Sequence, residues 1–327
     1  MGGQVDDRNT LSPGIPAVSV IIPAYQTTQY IAQALDSVLA QTFQDFEIIV
    51  VNDGSPDTPE LERVLQPYMS RIVYIKQPNG GLAQARNAGI RRSRAPLIAL
   101  LDSDDYWHKD FLATQVRAFA EDPAADAVYP NAFLVNNPKT AGKTYMDIYP
   151  SSGEVTFLSL VNKTCTVMGP GMTIQQAILE RAGLYDPELR IVEDLDLWLR
   201  MVKLGGRIIY HRRPVYYLRY RTDSLSRRSV EMLTGVLRVL EKNAKLFTLS
   251  GEERAALDEA RKHLTAELQL FRGKKVFFEG DVPSAIRDIT LANQYYRRWK
   301  LRFVLALMKT SPGLLRLLAR VSSWQLS

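Results

Sequence analysis

Three carboxylates stand within four residues after an apolar run in the first third of the chain. Asp102, Ser103, Asp104 and Asp105 directly follow Pro96–Leu101, which predicts a strand covered on both faces. Side chains alternate along an extended segment, so we expect Asp102 and Asp104 to project to the same side. Two such carboxylates suit a hard divalent cation that takes further ligands from substrate phosphates. A solvated acidic loop is the alternative interpretation.

A second acidic pair, Glu193-Asp194, stands at the start of a predicted helix over Asp194–Leu204. Carboxylates at a helix N-terminus are stabilised by the helix dipole, which is a purely structural role. A general base fixed at a helix start and facing a cleft would have the same sequence. The residues alone leave both interpretations open.

A pair of glycines, Gly80-Gly81, opens a predicted helix over Gly81–Arg92. The pair is either a simple turn or a helix start whose N–H groups face phosphate, with Arg86 and Asn87 one turn further along. Neither G-x-x-x-x-G-K-[ST] nor G-x-G-x-x-G follows any predicted strand. This argues against a kinase and against a dinucleotide-dependent enzyme.

The elements that must position these residues alternate between strand and helix. The apolar patterns predict strands at Val18–Ile22, Glu47–Val51, Ile72–Ile75 and Pro96–Leu101, with helices between them at Tyr30–Leu39, Glu60–Tyr68 and Gly81–Arg92. This order predicts an α/β fold with a mostly parallel sheet flanked by helices. Ligands of such sheets bind at the carboxyl ends of the strands, where Pro23, Tyr25, Asp53 and Asp102 stand.

The alternation gives way to helical patterns near residue 226. We therefore predict a flexible tail at 1–16, an α/β domain at 17–226 and a helical region at 227–327 that ends in a basic amphipathic tail. The single cysteine, Cys165, and three histidines without zinc-ligand spacing exclude a disulfide scaffold and a Cys/His metal site.

The positive charge of the 327-residue chain is concentrated at its end. The net charge is +6, the last acidic residue is Asp288, and seven Lys or Arg residues follow it. Removing those seven charges from +6 leaves −1 for the preceding residues, so we expect no nucleic-acid partner. No targeting signal and no apolar run of the ~18 residues needed for a spanning helix is present, which predicts a cytoplasmic protein.

The segment Tyr295–Val321 combines these basic residues with Trp299, Phe303 and several leucines. A basic amphipathic helix lies in the interface of an anionic membrane, which makes such a surface a candidate partner. The alternative is a helix packed on the preceding helices with its arginines solvated. The sequence favours neither.

Four ordered segments together resemble the family 2 glycosyltransferases. They are Val18–Asp57, with VSVIIPAY and VVNDGSPD; Pro78–Ile90, PNGGLAQARNAGI; Leu97–Trp107, LIALLDSDDYW; and Gly183–Gly206, with the sequence EDLDLW. The resemblance covers about residues 17–226. It implies the GT-A fold of nucleotide-diphospho-sugar transferases and an inverting, metal-dependent sugar transfer.

The resemblance also implies a role for each matched residue on the donor side. Pro23 and Tyr25 would pack around the nucleotide base, and Asp53 would accept from its edge. A carboxylate accepts from the N3–H of uracil or thymine, which favours a UDP- or dTDP-sugar. Arg86 would lie near the donor phosphates or the sugar.

The acidic motifs take their roles from the same resemblance. Asp102-Ser103-Asp104 matches the DxD motif, in which Asp104 ligates Mn²⁺ or Mg²⁺ and Asp102 contacts the ribose or the metal. Glu193-Asp194 matches the ED motif, with Asp194 as the general base and Glu193 as a supporting acceptor contact.

The chain departs from this family in one loop. Many relatives have R-x-H-x-x-S-x-S where residues 219–226 are RYRTDSLS, so Arg221 replaces the usual histidine. Arginine stays protonated and pairs with phosphate oxygens, so we expect Arg221 and Arg219 to neutralise the leaving group directly.

The family's membrane-embedded polysaccharide synthases carry QxxRW and spanning helices, and both are missing here. We therefore expect transfer to a separate glycan, lipid-linked or protein acceptor, in cell-surface polysaccharide or glycoconjugate biosynthesis. A catalytically silent nucleotide-sugar-binding module and a nucleic-acid binder acting through the tail are the alternatives. The intact Asp104 and Asp194 argue against the silent module.

Overall fold

A computed structural model describes residues 14–221 and 229–321. Most of the predicted tail 1–16, the predicted boundary at residue 226 and the loop residues 222–226 lie outside these ranges. The chain divides into two compact units, Met1–Thr222 and Asp223–Ser327. None of the described helices is long and apolar enough to cross a membrane.

The described part of the first unit alternates strands and helices as the sequence predicts. Its strands are β1 (Val18–Ala24), β2 (Phe46–Asp53), β3 (Val73–Gln77), β4 (Leu97–Leu100), β5 (Tyr106–Trp107), β6 (Ala127–Val135), β7 (Thr173–Gln175) and β8 (Ile208–Arg219). Its helices are α1 (Thr28–Leu39), α2 (Thr58–Leu65), α3 (Leu82–Arg92), α4 (Phe111–Glu121), α5 (Tyr145–Ile148), α6 (Phe157–Val161), α7 (Gln176–Ala182) and α8 (Glu193–Lys203). Short 3₁₀ turns lie at Gln66–Tyr68 and Pro138–Thr140.

The eight strands form one sheet in the order β3-β2-β1-β4-β7-β6-β8-β5. Strands β1 to β4 are parallel to one another, and β6 is parallel to β8. The short β7 joins the two parallel groups by running antiparallel to both β4 and β6, and β5 is antiparallel to β8. The predicted α/β fold with a mostly parallel, helix-flanked sheet is confirmed.

The register of the central strands explains why their polar ends meet. Every residue of β1 is buried, because helices cover the sheet, and α1 turns Ile31, Leu35 and Val38 toward it. Pro23 pairs with Val51 on one side of β1, and Ile21 pairs with Leu100 on the other. The segments that follow β1, β2 and β4 therefore begin at one level, along one rim of the sheet.

The described part of the second unit, residues 229–321, is helical. Its helices are α9 (Ser229–Leu246), α10 (Gly251–Glu279), α11 (Val282–Tyr296), α12 (Trp299–Thr310) and α13 (Pro312–Val321). Phe277 of α10 and Ile289 of α11 form the centre of its core, against which Leu301, Met308 and Leu315 pack. The predicted helical C-terminal region is confirmed.

Candidate active site

The rim begins with two residues at the end of β1. Pro23 is buried within the strand, whereas the ring of Tyr25, the first residue after it, is 45% exposed. Gln26 has a positive φ of 54°, and its N–H donates to Ser55 Oγ after β2 at 2.7 Å. This bond ties the two strand ends together and leaves an exposed aromatic face at the rim.

The buried carboxylate of Asp53, at the end of β2, accepts four hydrogen bonds from the segment that leads into α3. Gln77 Nε2 donates at 2.7 Å and Asn79 Nδ2 at 3.3 Å, and the N–H groups of Gly80 and Gly81 donate at 2.9 and 2.7 Å. This carboxylate therefore fixes the loop between β3 and α3. The predicted contact between Asp53 and a nucleotide base stays a prediction. Such a base would have to share a carboxylate oxygen of Asp53 with the donors of this loop.

Two glycines make this loop possible. At Gly54, with φ +62°, a Cβ would stand 2.5 Å from the backbone nitrogen of Asn79. At Gly81, with φ +86°, a Cβ would stand 2.6 Å from the Arg190 guanidinium. Both positions favour glycine, because other residues disfavour this backbone region, and at Gly54 the Asn79 backbone also leaves no space for a Cβ. The Gly81 N–H donates to Asp53, and the Arg190 guanidinium lies beside Gly81, which adds a cation to this part of the rim.

The acidic cluster after β4 is folded into a turn, since the N–H of Asp105 donates to the Asp102 carbonyl at 3.0 Å. The expectation of an extended segment is therefore wrong. Asp102 and Asp104 keep side chains that are 22% and 28% exposed, while Asp105 is buried. The Asp105 carboxylate accepts from Tyr216 Oη at 2.8 Å and from the Arg219 N–H at 2.7 Å, which anchors the turn on β8.

Arg86, on α3, joins two acidic motifs that are far apart in the sequence. Its Nη2 donates to Asp102 Oδ1 and its Nη1 to Glu193 Oε1, each at 2.9 Å. The guanidinium is fully buried and lies 5.4 Å from the ring centroid of Tyr185. Arg86 was expected near the donor phosphates or the sugar; its charge is already paired with two carboxylates.

Glu193 and Asp194 form the first turn of α8, behind Val192, which has a positive φ of 61°. The Glu193 carboxylate is paired with Arg86, whereas Asp194 Oδ1 accepts from the neighbouring Leu195 N–H at 2.7 Å. Asp194 Oδ2 lies so close to Gly169 that a Cβ there would stand 2.6 Å away. Burial raises the pKa of both carboxyls, and the Arg86 charge opposes this rise.

Arg219 and Arg221, at the end of β8 and just beyond it, lie beside the acidic turn. Arg221 Nη1 is 3.0 Å from Asp104 Oδ2, and Arg219 Nε donates to the Asp104 carbonyl at 2.7 Å. Both guanidinium groups stack on the Tyr30 ring, at 4.8 Å for Arg219 and 5.3 Å for Arg221. The structure therefore brings both predicted arginines to the predicted DxD motif.

The donor set of this turn fits a hard divalent cation. Burial and the nearby Asp102 charge raise the pKa of Asp104 despite its Arg221 partner, so negative charge is crowded here. One carboxylate oxygen of Asp102 pairs with Arg86, and one of Asp104 pairs with Arg221. Among the described residues no group of three or more His, Cys, Asp or Glu is arranged to hold a metal. An ion at this turn would therefore draw on oxygens of a bound phosphate ligand, as Mg²⁺ and Mn²⁺ do.

Several residues of the rim were not singled out as site residues from the sequence. They are Tyr30, Asp105, Gly169, Tyr185 and Arg190. Asp105 was visible in the acidic cluster, and Tyr185 lies within the segment Gly183–Gly206 that carries part of the family resemblance. Tyr30, Gly169 and Arg190 had no local signal, because they reach the rim only through the tertiary fold.

Residues 19–182 match the family model described as glycosyl transferase family 2, which is half of the chain. The chain belongs to glycosyltransferase family 2. GlyA of Streptococcus pneumoniae serotype 4, a glycosyltransferase, is 30% identical over 222 residues, which are 64% of this chain and 31% of that protein. The putative glycosyltransferase EpsH of Bacillus subtilis is 29% identical over 257 residues, 76% of this chain and 73% of EpsH.

Other curated relatives of this family 2 glycosyltransferase are longer than the shared region. The uncharacterized glycosyltransferase RP339 of Rickettsia prowazekii is 30% identical over 198 residues, 60% of this chain and 62% of that protein. A relative from Rickettsia felis is 29% identical over 194 residues, and the shared region is only 32% of its length.

Solved glycosyltransferases share the fold. Residues 1–349 of Staphylococcus aureus TarS in complex with UDP-GlcNAc superpose with a TM-score of 0.58 at 20% identity, covering 89% of this chain and 87% of the other. The mannosyltransferase PcManGT of Pyrobaculum calidifontis, in complex with GDP-Man and Mn²⁺, gives a TM-score of 0.59 at 18% identity, covering 94% and 84%. The GT-A fold is thereby confirmed for this family 2 chain.

Proposed function

We propose that this family 2 glycosyltransferase moves a sugar from a nucleotide-diphospho-sugar, with a UDP-sugar favoured, to a hydroxyl of an acceptor, and inverts the anomeric configuration. The observation that carries this proposal is the link through Arg86, which holds the DxD residue Asp102 and the ED residue Glu193 on one guanidinium. A donor-side motif and an acceptor-side motif are thus fixed against each other.

The donor side of the proposal draws on the exposed Tyr25 ring and on the arginines at the acidic turn. Tyr25 offers its 45%-exposed face to a base, and Arg221 and Arg219 offer charge to a diphosphate. TarS binds UDP-GlcNAc and PcManGT binds GDP-Man, so UDP and GDP are the donor nucleotides to compare first.

Asp102 and Asp104 would hold the divalent cation, Mn²⁺ or Mg²⁺, through the carboxylate oxygens that do not face arginine. A bound cation of this kind stabilises the negative charge that builds on a departing diphosphate. Arg221 and Arg219 add fixed positive charge at the same turn, because guanidinium groups stay protonated and pair with phosphate oxygens.

The acceptor side of the proposal assigns Asp194 as general base. Asp194 takes the proton of the acceptor hydroxyl while that oxygen forms a bond to the anomeric carbon, and the bond from this carbon to the diphosphate oxygen breaks with its electron pair. Glu193 is less suited to this task because its carboxylate is already paired with Arg86. A single base suffices, unlike the carboxylate pair of glycoside hydrolases.

The proposed acceptor is a glycan, a lipid-linked sugar or a protein hydroxyl in cell-surface polysaccharide or glycoconjugate synthesis. The relatives GlyA and the putative glycosyltransferase EpsH are bacterial proteins, so bacterial glycans and glycoconjugates are the acceptors to test first. The alternative, a silent nucleotide-sugar-binding module, predicts donor binding without turnover.

Calorimetric titration tests the donor site directly. The purified protein is titrated with UDP, dTDP, GDP and CMP, each with Mn²⁺ and with a chelator. We expect UDP or dTDP to bind in a metal-dependent way, and Asp104→Asn to weaken this binding. The matched control is Asp45→Asn. Asp45 is exposed and precedes β2, at the end of the strand that lies away from the rim.

Two results would contradict the proposal. Absence of binding by any nucleotide under either condition would remove the donor site assigned to this rim. Tight metal-dependent binding without any sugar transfer or donor hydrolysis across a panel of acceptors would favour the silent module.

A further inference from the structure

The last two described helices, α12 and α13, each have two apolar faces. The inner faces are buried in the core of the second unit, through Leu301 and Met308 of α12 and Leu315 of α13. These side chains pack with Phe277 and Ile289 of the preceding helices. Of the two interpretations of the tail, packing on the preceding helices holds for its inner faces.

The outer faces are also apolar, and no described helix of the second unit covers them. Trp299 is 71% exposed and Phe303 58% exposed, and their spacing of four residues places them on one stripe of α12. On α13 the described large apolar residues that are exposed are Leu314, Leu317 and Leu318, at 50%, 61% and 49%. A water-facing helix surface is ordinarily polar, so five large exposed apolar side chains in twenty residues point to a binding surface.

Basic residues border this apolar surface. On α12, Arg302 and Lys309 lie on one side of the Trp299–Phe303 stripe and Lys300 on the other, and all three are exposed. No acidic residue follows Asp288, so no carboxylate of the tail offsets them. Arg316 is different, because it donates to the Phe277 carbonyl at 3.3 Å and lies over the Phe277 ring.

We propose that the outer faces of α12 and α13 dock on an anionic lipid bilayer. Apolar side chains enter the acyl boundary, and Lys300, Arg302 and Lys309 lie at the level of the phosphate headgroups. This combination is what an interfacial helix requires. Aliphatic side chains such as Leu317 have no extended aliphatic counterpart on a nucleic acid, whose surface consists of phosphates, sugars and bases. The combination of basic residues and exposed aliphatic surface therefore favours an anionic bilayer over a nucleic acid as the partner.

Docking on a membrane holds the enzyme at the surface where lipid-linked and surface glycan acceptors are found. It does not depend on the identity of the donor, because the docking faces belong to the second unit and the nucleotide rim to the first. Membrane binding and nucleotide binding can therefore fail separately.

Co-sedimentation of the full chain with vesicles tests this docking. The vesicles contain phosphatidylcholine alone or phosphatidylcholine with phosphatidylglycerol, at low and at high salt. We expect binding to the anionic vesicles that weakens with salt. Arg302→Glu should lower the partition at least about fivefold, since one basic residue contributes on the order of 1 kcal/mol near such a surface. Phe303→Ser should lower it roughly tenfold through lost apolar burial.

Matched control variants separate docking from general effects of charge or polarity. Leu246→Ser changes a side chain on α9 that is 55% exposed, and Arg254→Glu reverses an exposed charge on α10. Both should bind vesicles as the unchanged chain does, and UDP affinity should be equal in all four variants.

Three results would overturn the docking. The first is no sedimentation with anionic vesicles at low salt, and the second is equal binding to neutral and anionic vesicles. The third is a loss of binding in Arg302→Glu but not in Phe303→Ser, together with salt-sensitive binding to RNA. That pattern would mean that the tail recognises phosphate charge alone.

Discussion

Arg86 donates to Glu193 at 2.9 Å across 107 positions of sequence, with the other terminal nitrogen of the same guanidinium on Asp102. Arg86 and Glu193 are nearly removed from solvent, at 2% and 8% exposed, whereas the Asp102 side chain keeps 22% of its surface exposed. A buried guanidinium must be paired, and so must a buried carboxylate, because each ion loses several kcal/mol of hydration. Arg86 thus positions two motifs of the rim through one planar fork.

Removal of this fork should destabilise the first unit. Arg86→Met leaves the Asp102 and Glu193 carboxylates facing each other without a cation, at a cost of about 3–5 kcal/mol of unfolding free energy. Arg86→Lys keeps the charge but not both hydrogen bonds, so its loss should be smaller. Urea denaturation followed by the fluorescence of the buried Trp107 and Trp198 measures both. Equal stability of Arg86→Met and the unchanged protein would contradict the pairing.

Removal of the proposed general base should abolish sugar transfer without weakening donor binding. Asp194→Asn retains the size of the side chain but cannot take a proton, so kcat should fall roughly 10²–10⁴-fold. Calorimetry should show unchanged UDP affinity. Glu188→Gln, at an exposed carboxylate before α8, is the matched control and should keep kcat. Undiminished transfer by Asp194→Asn would rule out this base.

The acid limb of the rate profile should reflect the raised pKa of Asp194. Burial raises this pKa, and the base must be ionised, so kcat/KM should fall as pH drops through a value above the ordinary carboxyl pKa of about 4. The Arg86 charge lowers the pKa of Asp194, hence Arg86→Met should move the limb to higher pH and Arg86→Lys should restore it. Profiles of kcat/KM at saturating metal measure the limb. If kcat/KM fell at the same pH in Arg86→Met as in the unchanged protein, the Arg86 charge would not control the pKa of the catalytic base.

The arginine that replaces the usual histidine should act on the nucleotide. Arg221→Ala should weaken UDP binding roughly tenfold or more, because a hydrogen bond to a charged group contributes about 1.5–3 kcal/mol. The control is Arg213→Ala on β8, the strand that leads to Arg221; Arg213 is 50% exposed and pairs with Asp110. Calorimetry with UDP measures both variants, and equal affinity for Arg221→Ala and the unchanged protein would exclude a phosphate contact.

Local pattern predicted the central sheet because β1, β2 and β4 are short apolar runs that are buried almost throughout. It also predicted that the ends of β1, β2 and β4 meet, which follows from parallel pairing alone. The Arg86–Glu193 ion pair could not be predicted from local pattern, because it depends on how α3 and α8 are placed by the tertiary fold. The segment Asp102–Asp105 was predicted to be extended but forms a turn. The hydrogen bonds that Tyr216 and Arg219 donate to Asp105 come from β8, more than a hundred residues later, so no local pattern indicates them.

The same limit applied to the tail. Helical periodicity indicated one amphipathic segment, Tyr295–Val321, but apolar residues occur on both sides of α12. Leu301 and Met308 face the core, while Trp299 and Phe303 face solvent. A pattern of apolar and polar residues does not distinguish a face that packs within the unit from a face that binds a partner. The structure separates them through burial.

His211, on β8, should make the first unit less stable in acid. Its Nε2 lies 3.0 Å from Gln115 Oε1, and the Gln115 amide nitrogen donates to the carbonyls of Val128 and Gly171, so the Oε1 accepts and Nε2 carries the proton. Burial lowers the pKa of His211 from 6.5 to about 4. Neutral His211 therefore suits the folded state, while the unfolded chain takes up a proton already below about pH 6.5.

The stability linked to His211 is thus present above about pH 6.5 and is lost as pH falls toward about 4, by up to roughly 3 kcal/mol. In His211→Gln the replacement amide still donates to Gln115 but has no proton to gain. Its unfolding free energy should therefore decline less over this pH interval than that of the unchanged protein. Urea denaturation across the interval, followed by Trp107 and Trp198 fluorescence, measures the difference. Parallel pH curves for the two proteins would show that His211 is not the group that titrates.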